Sequence, residues 1–170
     1  ACGIARSIKD LYWDIRPKPE FGTVEIRVCD TPLTVERAAA LTALAQSLVH
    51  HLLRTRPALD TRRHLYVARY NKFQACRYGF DGQISDPTGP RQVPLRQITR
   101  ELLAMLVEDA RELGCSAWLQ LLDASLAGEI SDASWLRRRQ AVHGNLNDVV
   151  REATMRFRNK GSSHFAGAPR

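Results

Sequence analysis

Two short stretches of this chain, Leu11-Tyr12-Trp13-Asp14-Ile15-Arg16-Pro17 and Gly22-Thr23-Val24-Glu25-Ile26-Arg27-Val28-Cys29-Asp30, alternate strictly in side-chain character. Successive side chains of a strand point to opposite faces, so Trp13, Ile15, Val24, Ile26 and Val28 fall on one face. Asp14, Arg16, Thr23, Glu25 and Arg27 fall on the other. A connection bearing prolines and a glycine separates the two, which predicts adjacent antiparallel strands. The ribbon then gathers two carboxylates and two guanidinium groups on one surface. Carboxylates hold hard divalent cations, and arginines hold phosphate or carboxylate groups.

The register decides what that surface does. With Arg16 opposite Glu25 and Asp14 opposite Arg27, the ribbon makes two opposite-charge pairs, each worth about 0.2–1 kcal/mol. Slipped by two residues, Asp14 stands opposite Glu25, and the like charges need a cation between them. Alternation is compatible with both, and with a plain solvent-facing ribbon laced by surface ion pairs.

Downstream the pattern turns helical. Thr34 is placed to cap a helix with Glu36 in its first turn, an apolar stripe through Ala38, Leu41, Ala45, Leu48 and Leu52, and Pro57 as its stop. A second helix is expected from about Thr61 into Arg77, followed by a long turn-rich loop from Gly79 to Pro90. Pro94 opens a third helix, with Leu95, Ile98, Leu102, Met105, Leu106, Ala110 and Leu113 inward and Gly114 ending it. Ser116 caps a short helix closed by Gly128. Ser131 or Asp132 opens the last one, with Leu136, Val142, Leu146, Val149 and Ala153 inward. Residues 161–170 read as a flexible tail on a single domain covering residues 1–160. The fold class expected is α+β, antiparallel strands followed by a helical layer.

Composition narrows the function classes. No apolar run approaches the ~20 residues of a membrane span. Cys2, Cys29, Cys76 and Cys115 form no C-x-x-C pair, so a zinc site is disfavoured and reduced thiols in the cytoplasm are expected. The net charge of +7 invites a polyanion-binding reading, centred on Arg62-Arg63-His64 and Arg137-Arg138-Arg139. Aromatic residues do not interleave with those arginines as a single-strand binder requires, so nucleic acid is not the favoured partner. The neighbours His50 and His51 point about 100° apart on a helix and so do not share a metal ion. His64, His143 and His164 lack ligands at metal spacing. A thiol role for Cys29, beside Arg27, is weaker than a packing role. No Ser-His-Asp set or P-loop is present.

The run from Tyr12 to Leu48, YWDIRPKPEFGTVEIRVCDTPLTVERAAALTALAQSL, resembles the core signature of bacterial carboxylate-amine ligases of the type 2 glutamate–cysteine ligase-like family. Arg69 to Gly82, with Asn71, Phe73 and Arg77-Tyr78-Gly79 in order, is similar to that family's helix-to-loop segment. Ser131 to Val150 is a fainter third match. The resemblance implies that the ribbon joins a larger glutamine-synthetase-like sheet. It further implies ATP and Mg²⁺ as cofactors, with Arg27 and Arg16 as catalytic clamps on the transferring phosphoryl or carboxylate group. Glu25 is then the metal ligand, and Arg77 and Asp14 contact substrate or ATP. Arg77 and Asn71 are six residues apart and 120° out of alignment, so Arg77 is favoured for the site and Asn71 for a structural role.

The family's glutamate-rich first strand has no counterpart here, so the chain is expected to be the C-terminal half of such a ligase, inactive until joined by its N-terminal half. Its partners would be an amino-acid carboxylate and an amine, with self-association through the open strand edges. The rival reading is a basic helical module that binds a polyanion or a partner protein without catalysis.

Overall fold

Pro19 and Gly22 turn the chain back on itself at the first hairpin. The turn is a single helical turn over Pro19–Phe21, closed by Gly22 at φ +61°, a left-handed conformation that favours glycine. It joins β1 (Ile15–Lys18) to β2 (Thr23–Ile26), paired antiparallel with Arg16 opposite Glu25 and Ile15 opposite Ile26. The Arg27 amide continues the ladder by donating to the Asp14 carbonyl at 2.7 Å. Of the two registers open to the sequence, the chain adopts the one that pairs opposite charges. This computed structural model describes residues 13–58, 61–86, 89–126 and 131–158, without the side chains of residues 61–63. The chain divides into two compact units, one ending at Pro32 and one beginning at Leu33.

The second unit is helical. Its elements are α1 (Val35–Thr55), α2 (Thr61–Tyr78), α3 (Leu95–Met105), α4 (Val107–Glu112), α5 (Ser116–Leu126), α6 (Asp132–His143) and α7 (Leu146–Arg158). The fold class is α+β, as the sequence indicates. Thr34 caps α1, its hydroxyl accepting from the Arg37 amide at 3.1 Å. Arg56 ends the helix in the left-handed region at φ 44°, just before Pro57.

Three sequence expectations shift. The loop after α2 is a second hairpin, β3 (Gln83–Ser85) with β4 (Gln92–Pro94), and Pro94 closes β4 just before α3 begins at Leu95. The long third helix is interrupted at Leu106, which separates α3 from α4. The last helix is likewise two, because Gly144 at φ +68° caps α6 and the chain restarts as α7. Residues 161–170, read as a tail, lie outside the described residues.

The core is built where α1, α3, α4 and α5 meet. Ala43, Leu103, Leu106, Ala110, Cys115, Leu119 and Leu126 are buried together, with Leu44, Leu48, Leu102, Trp118 and Leu122 packed around them. The innermost line of α1 is small, Ala40, Ala43 and Ser47, and lies beside the large-residue stripe that periodicity favours. Small side chains let neighbouring helices approach closely, and they go to the tightest part of the contact. The interruption at Leu106 shifts the phase of α3, so Leu103 is inward and Met105 is 48% exposed.

One charge lies inside this layer. Asp109 of α4 is fully buried, and its two oxygens meet different imidazoles of α1: Oδ1 meets His50 Nδ1 at 2.8 Å and Oδ2 meets His51 Nδ1 at 2.9 Å. Arg54 stands 3.5 Å away, and it also donates to Glu112 at 3.2 Å. Burial pushes the Asp109 carboxyl pKa up, but the two imidazole hydrogen bonds and Arg54 outweigh burial and hold it below its ordinary 3.8. The ionised carboxylate staples α1 to α4. At the far end of α1, Asp132 of α6 accepts from the Leu33 amide at 3.1 Å and from Arg37 at 3.0 Å.

Asp109→Ala leaves the His51 imidazole without its anion and leaves His50 and Arg54 with Glu112 alone, and Tm is expected to fall on the order of 10 °C in a calorimetric scan. Because the folded pKa is depressed, the stabilisation is present above pH 3.8 and is lost as pH falls through the folded value. An unchanged Tm would show that the staple carries no stability.

Candidate functional site

The polar face of the first hairpin is a compact charge cluster. Arg16 and Lys18 stand two apart on β1, and Glu25 lies opposite Arg16 on β2, so all three side chains leave the same face. Arg16 grips one carboxylate oxygen of Glu25 through Nε at 2.8 Å and through its terminal nitrogen at 2.6 Å. Lys18 approaches that oxygen at 3.9 Å, and Arg27 approaches the other, also at 3.9 Å. The Arg16 side chain is only 12% exposed, although it lies on a two-stranded ribbon. The hydrogen bond from Arg16, with help from the charges of Arg27 and Lys18, holds the Glu25 carboxyl below its ordinary value against a smaller opposing effect of desolvation.

Three cations, Arg16, Lys18 and Arg27, surround the Glu25 carboxylate. Such a face attracts a phosphate or a carboxylate. It does not suit a bare divalent cation, since a single carboxylate amid three cations is a poor host. It suits a metal that arrives with phosphate oxygens, because Mg²⁺ is commonly held by one or two carboxylates plus substrate phosphates. Among the described residues no group of three or more His, Cys, Asp or Glu is placed to hold a metal ion.

The hairpin thus brings together Arg16, Glu25 and Arg27 of the residues singled out from sequence, and adds Lys18, which the reading of charge pairs passed over. Asp14 lies at the open end of β1 and contributes its carbonyl to the Arg27 amide. Arg77 belongs to the helical unit, exposed in the last turn of α2. Asn71 has the structural role expected. Its amide brackets Ser85, donating to the carbonyl at 3.0 Å and accepting from the N–H at 2.8 Å, as a neighbouring strand would. Gln74 accepts from the Gln83 amide at 3.2 Å in the same way. Gly82 is needed there, because a Cβ at that position would come 2.8 Å from the Gln74 carbonyl oxygen. These contacts position the segment that follows Arg77 against α2.

Two of the basic residues near the C-terminus are engaged around one aromatic ring of the helical unit. Arg139 and Arg156 both lie over the Trp135 ring, with guanidinium carbons 5.6 and 5.0 Å from its centre. Arg139 also pairs with Glu152 at 3.0 Å, and His143 meets the same carboxylate at 2.8 Å. Cys29 and Cys76 are exposed, Cys115 is buried, and all three are free thiols. No described helix is long and apolar enough to cross a membrane.

A charged antiparallel hairpin leading into a helical layer is the C-terminal pattern that the ligase resemblance implies, and comparison with known proteins bears out the family. Residues 1–152 match the profile of glutamate–cysteine ligase family 2, and the chain belongs to that family. It is 64% identical over 160 residues to a provisionally named glutamate–cysteine ligase 2 of Dechloromonas aromatica. It is 46% identical over 165 residues to a protein of the same name in Polaromonas naphthalenivorans, and 45% identical over 156 residues to one in Legionella pneumophila. These alignments take in 92–97% of this chain but only 42–43% of each relative, so the chain spans less than half the length of the relatives it matches.

The register makes a direct prediction. Arg16→Ala removes the largest influence on Glu25, so the Glu25 carboxyl is expected to titrate at higher pH, toward the ordinary value, in a carboxyl-detected NMR titration. A titration unmoved by that substitution would mean that Arg16 does not engage Glu25 in solution.

Proposed function

We propose that this chain is the C-terminal part of an ATP-dependent carboxylate–amine ligase that joins an amino-acid carboxylate, glutamate in the first instance, to the amine of cysteine. The observation that carries the proposal is the hairpin face with one carboxylate set among three cations, in a chain that belongs to a glutamate–cysteine ligase family. Guanidinium and ammonium groups beside a hard oxygen donor suit a metal–nucleotide, whose phosphates they can meet.

The reaction in this reading has two steps. A carboxylate oxygen of the acid attacks the γ-phosphorus of ATP, the bond to the bridging oxygen breaks, and ADP leaves with an acyl phosphate formed. The amine then attacks the acyl carbon, phosphate leaves, and the amine proton goes to solvent. No covalent protein nucleophile is required. Arg27 and Arg16 hold the transferring phosphoryl or the substrate carboxylate, where fixed guanidinium charge stabilises negative charge developing on oxygen. Glu25 is the carboxylate that would ligate Mg²⁺ when the nucleotide is bound. The metal's contribution is to neutralise phosphate charge. Arg77 and Asp14 are each assigned to binding the acid substrate or ATP. An N-terminal half would complete a larger sheet around the hairpin in this reading, and the 170-residue chain alone would not sustain turnover. A cytoplasmic setting accords with the free thiols, and self-association is expected through exposed strand edges.

Glu25→Gln preserves size and removes the charge a hard cation needs. In the complete protein it is expected to lower Mg²⁺-dependent ATP turnover with glutamate and cysteine by at least about a hundredfold while leaving the fold intact by circular dichroism. Turnover at the wild-type rate would remove Glu25 from the site.

Arg77→Lys tests the second unit. Lysine keeps the charge and loses the bidentate fork, so KM for the acid or for ATP is expected to rise about tenfold or more. Unaltered kinetic constants would make Arg77 a surface residue.

A further inference from the structure

The helical unit contains a cavity that the ligase reading does not use. It has a volume of about 400 Å³ and runs between the α3–α4 segment and α5. Arg100, Leu103, Ala104 and Val107 line one wall, at the spacing of a single helical stripe. Ser116, Leu119, Gln120, Asp123 and Ala124 line the other, again one stripe. Leu103, Ala110 and Leu119 are buried and form an apolar floor, and the alanines at 104 and 124 leave the space between the walls open.

The charged residues of this groove lie at one end of it. Arg96, near the start of α3, donates to the carbonyl of Leu126 at the end of α5, so the two helices run antiparallel there. One helical turn inward from that contact brings the chain to Arg100 on α3 and to Leu122 and Asp123 on α5. Arg100 and Asp123 therefore face the groove at the same level from opposite walls. They are too far apart to pair, and neither has a hydrogen bond or ion pair to another described residue. A guanidinium and a carboxylate thus flank the mouth of an apolar slot whose volume lies within the range of small-molecule sites.

We propose that this groove binds a zwitterion of the amino-acid type with a large apolar side chain. Its carboxylate meets Arg100, its ammonium meets Asp123, and its side chain runs along Leu103, Ala104, Val107 and Leu119 toward Ala110. Each feature of the slot has a counterpart in such a ligand: opposite charges close together at one end, and an apolar body behind them. The groove lies wholly within the helical unit and supplies no group to the ligase chemistry, so its occupancy is independent of that reading.

The experiment is ligand-observed NMR and calorimetry on the purified 170-residue chain, with L-phenylalanine as the probe. Phenylalanine is expected to bind with Kd on the order of 1 mM or below. Glycine, which has only the head group, is expected to bind at least about tenfold more weakly. So are 3-phenylpropionate, lacking the ammonium, and phenethylamine, lacking the carboxylate. Arg100→Gln and Asp123→Asn should each weaken phenylalanine about tenfold, and Ala104→Leu, which fills the slot from an exposed position, should abolish binding with the fold unchanged by circular dichroism. Three results would overturn the proposal: no binding of phenylalanine, equal binding of the singly charged analogues, or full binding by the filled variant.

Discussion

The helical layer depends on how a buried carboxylate is satisfied. Asp109 lies at no exposure in the middle of the packing between α1 and α4, where an unpaired charge would be strongly destabilising. Its two oxygens are matched to two successive histidines of α1, and Arg54 adds a charge one turn further on. This arrangement fixes α1 and α4 in register along their axes, since a slide by one residue breaks both hydrogen bonds at once. Apolar packing of Ala43, Leu106 and Ala110 is less directional. The staple supplies the specificity that the small residues of α1 do not.

The hairpin applies the same electrostatics at a surface. Asp109 is an anion enclosed by donors, inside the protein. Glu25 is an anion on a surface, with Arg16, Lys18 and Arg27 around it. The first cluster holds two helices together, and the second is the one the proposed function uses.

Much of this was legible in the residues. Strict alternation placed Glu25, Arg16 and Arg27 on one face, and the E-I-R-V-C-D run carried the family. Which residues oppose one another was not legible, because both registers obey the same alternation; Gly22 and the Pro19–Phe21 turn settle it by fixing the connection. Lys18 was missed because it lies next to the turn, where alternation gives out. The convergence of His50 and His51 on Asp109 was also hidden. Neighbouring helical side chains diverge by about 100°, which rules out a shared metal but not a shared carboxylate, whose two oxygens accept from two directions. The breaks at Leu106 and Gly144 escaped because a stripe of leucines and valines continues through them. The second hairpin escaped because its strands of three residues are too short for a period-two signal and are held by side chains, Asn71 and Gln74, of the helix just before them.

In the proposed function the hairpin face serves a reaction in which ATP activates a carboxylate as its acyl phosphate. The direct measurement is isotope transfer in the complete protein, supplied with ATP, Mg²⁺, cysteine and glutamate labelled with ¹⁸O in its side-chain carboxylate. One ¹⁸O atom is expected in each inorganic phosphate released, with ADP as the other product and a dependence on cysteine for net turnover. Released phosphate without ¹⁸O, or label appearing in AMP, would contradict it.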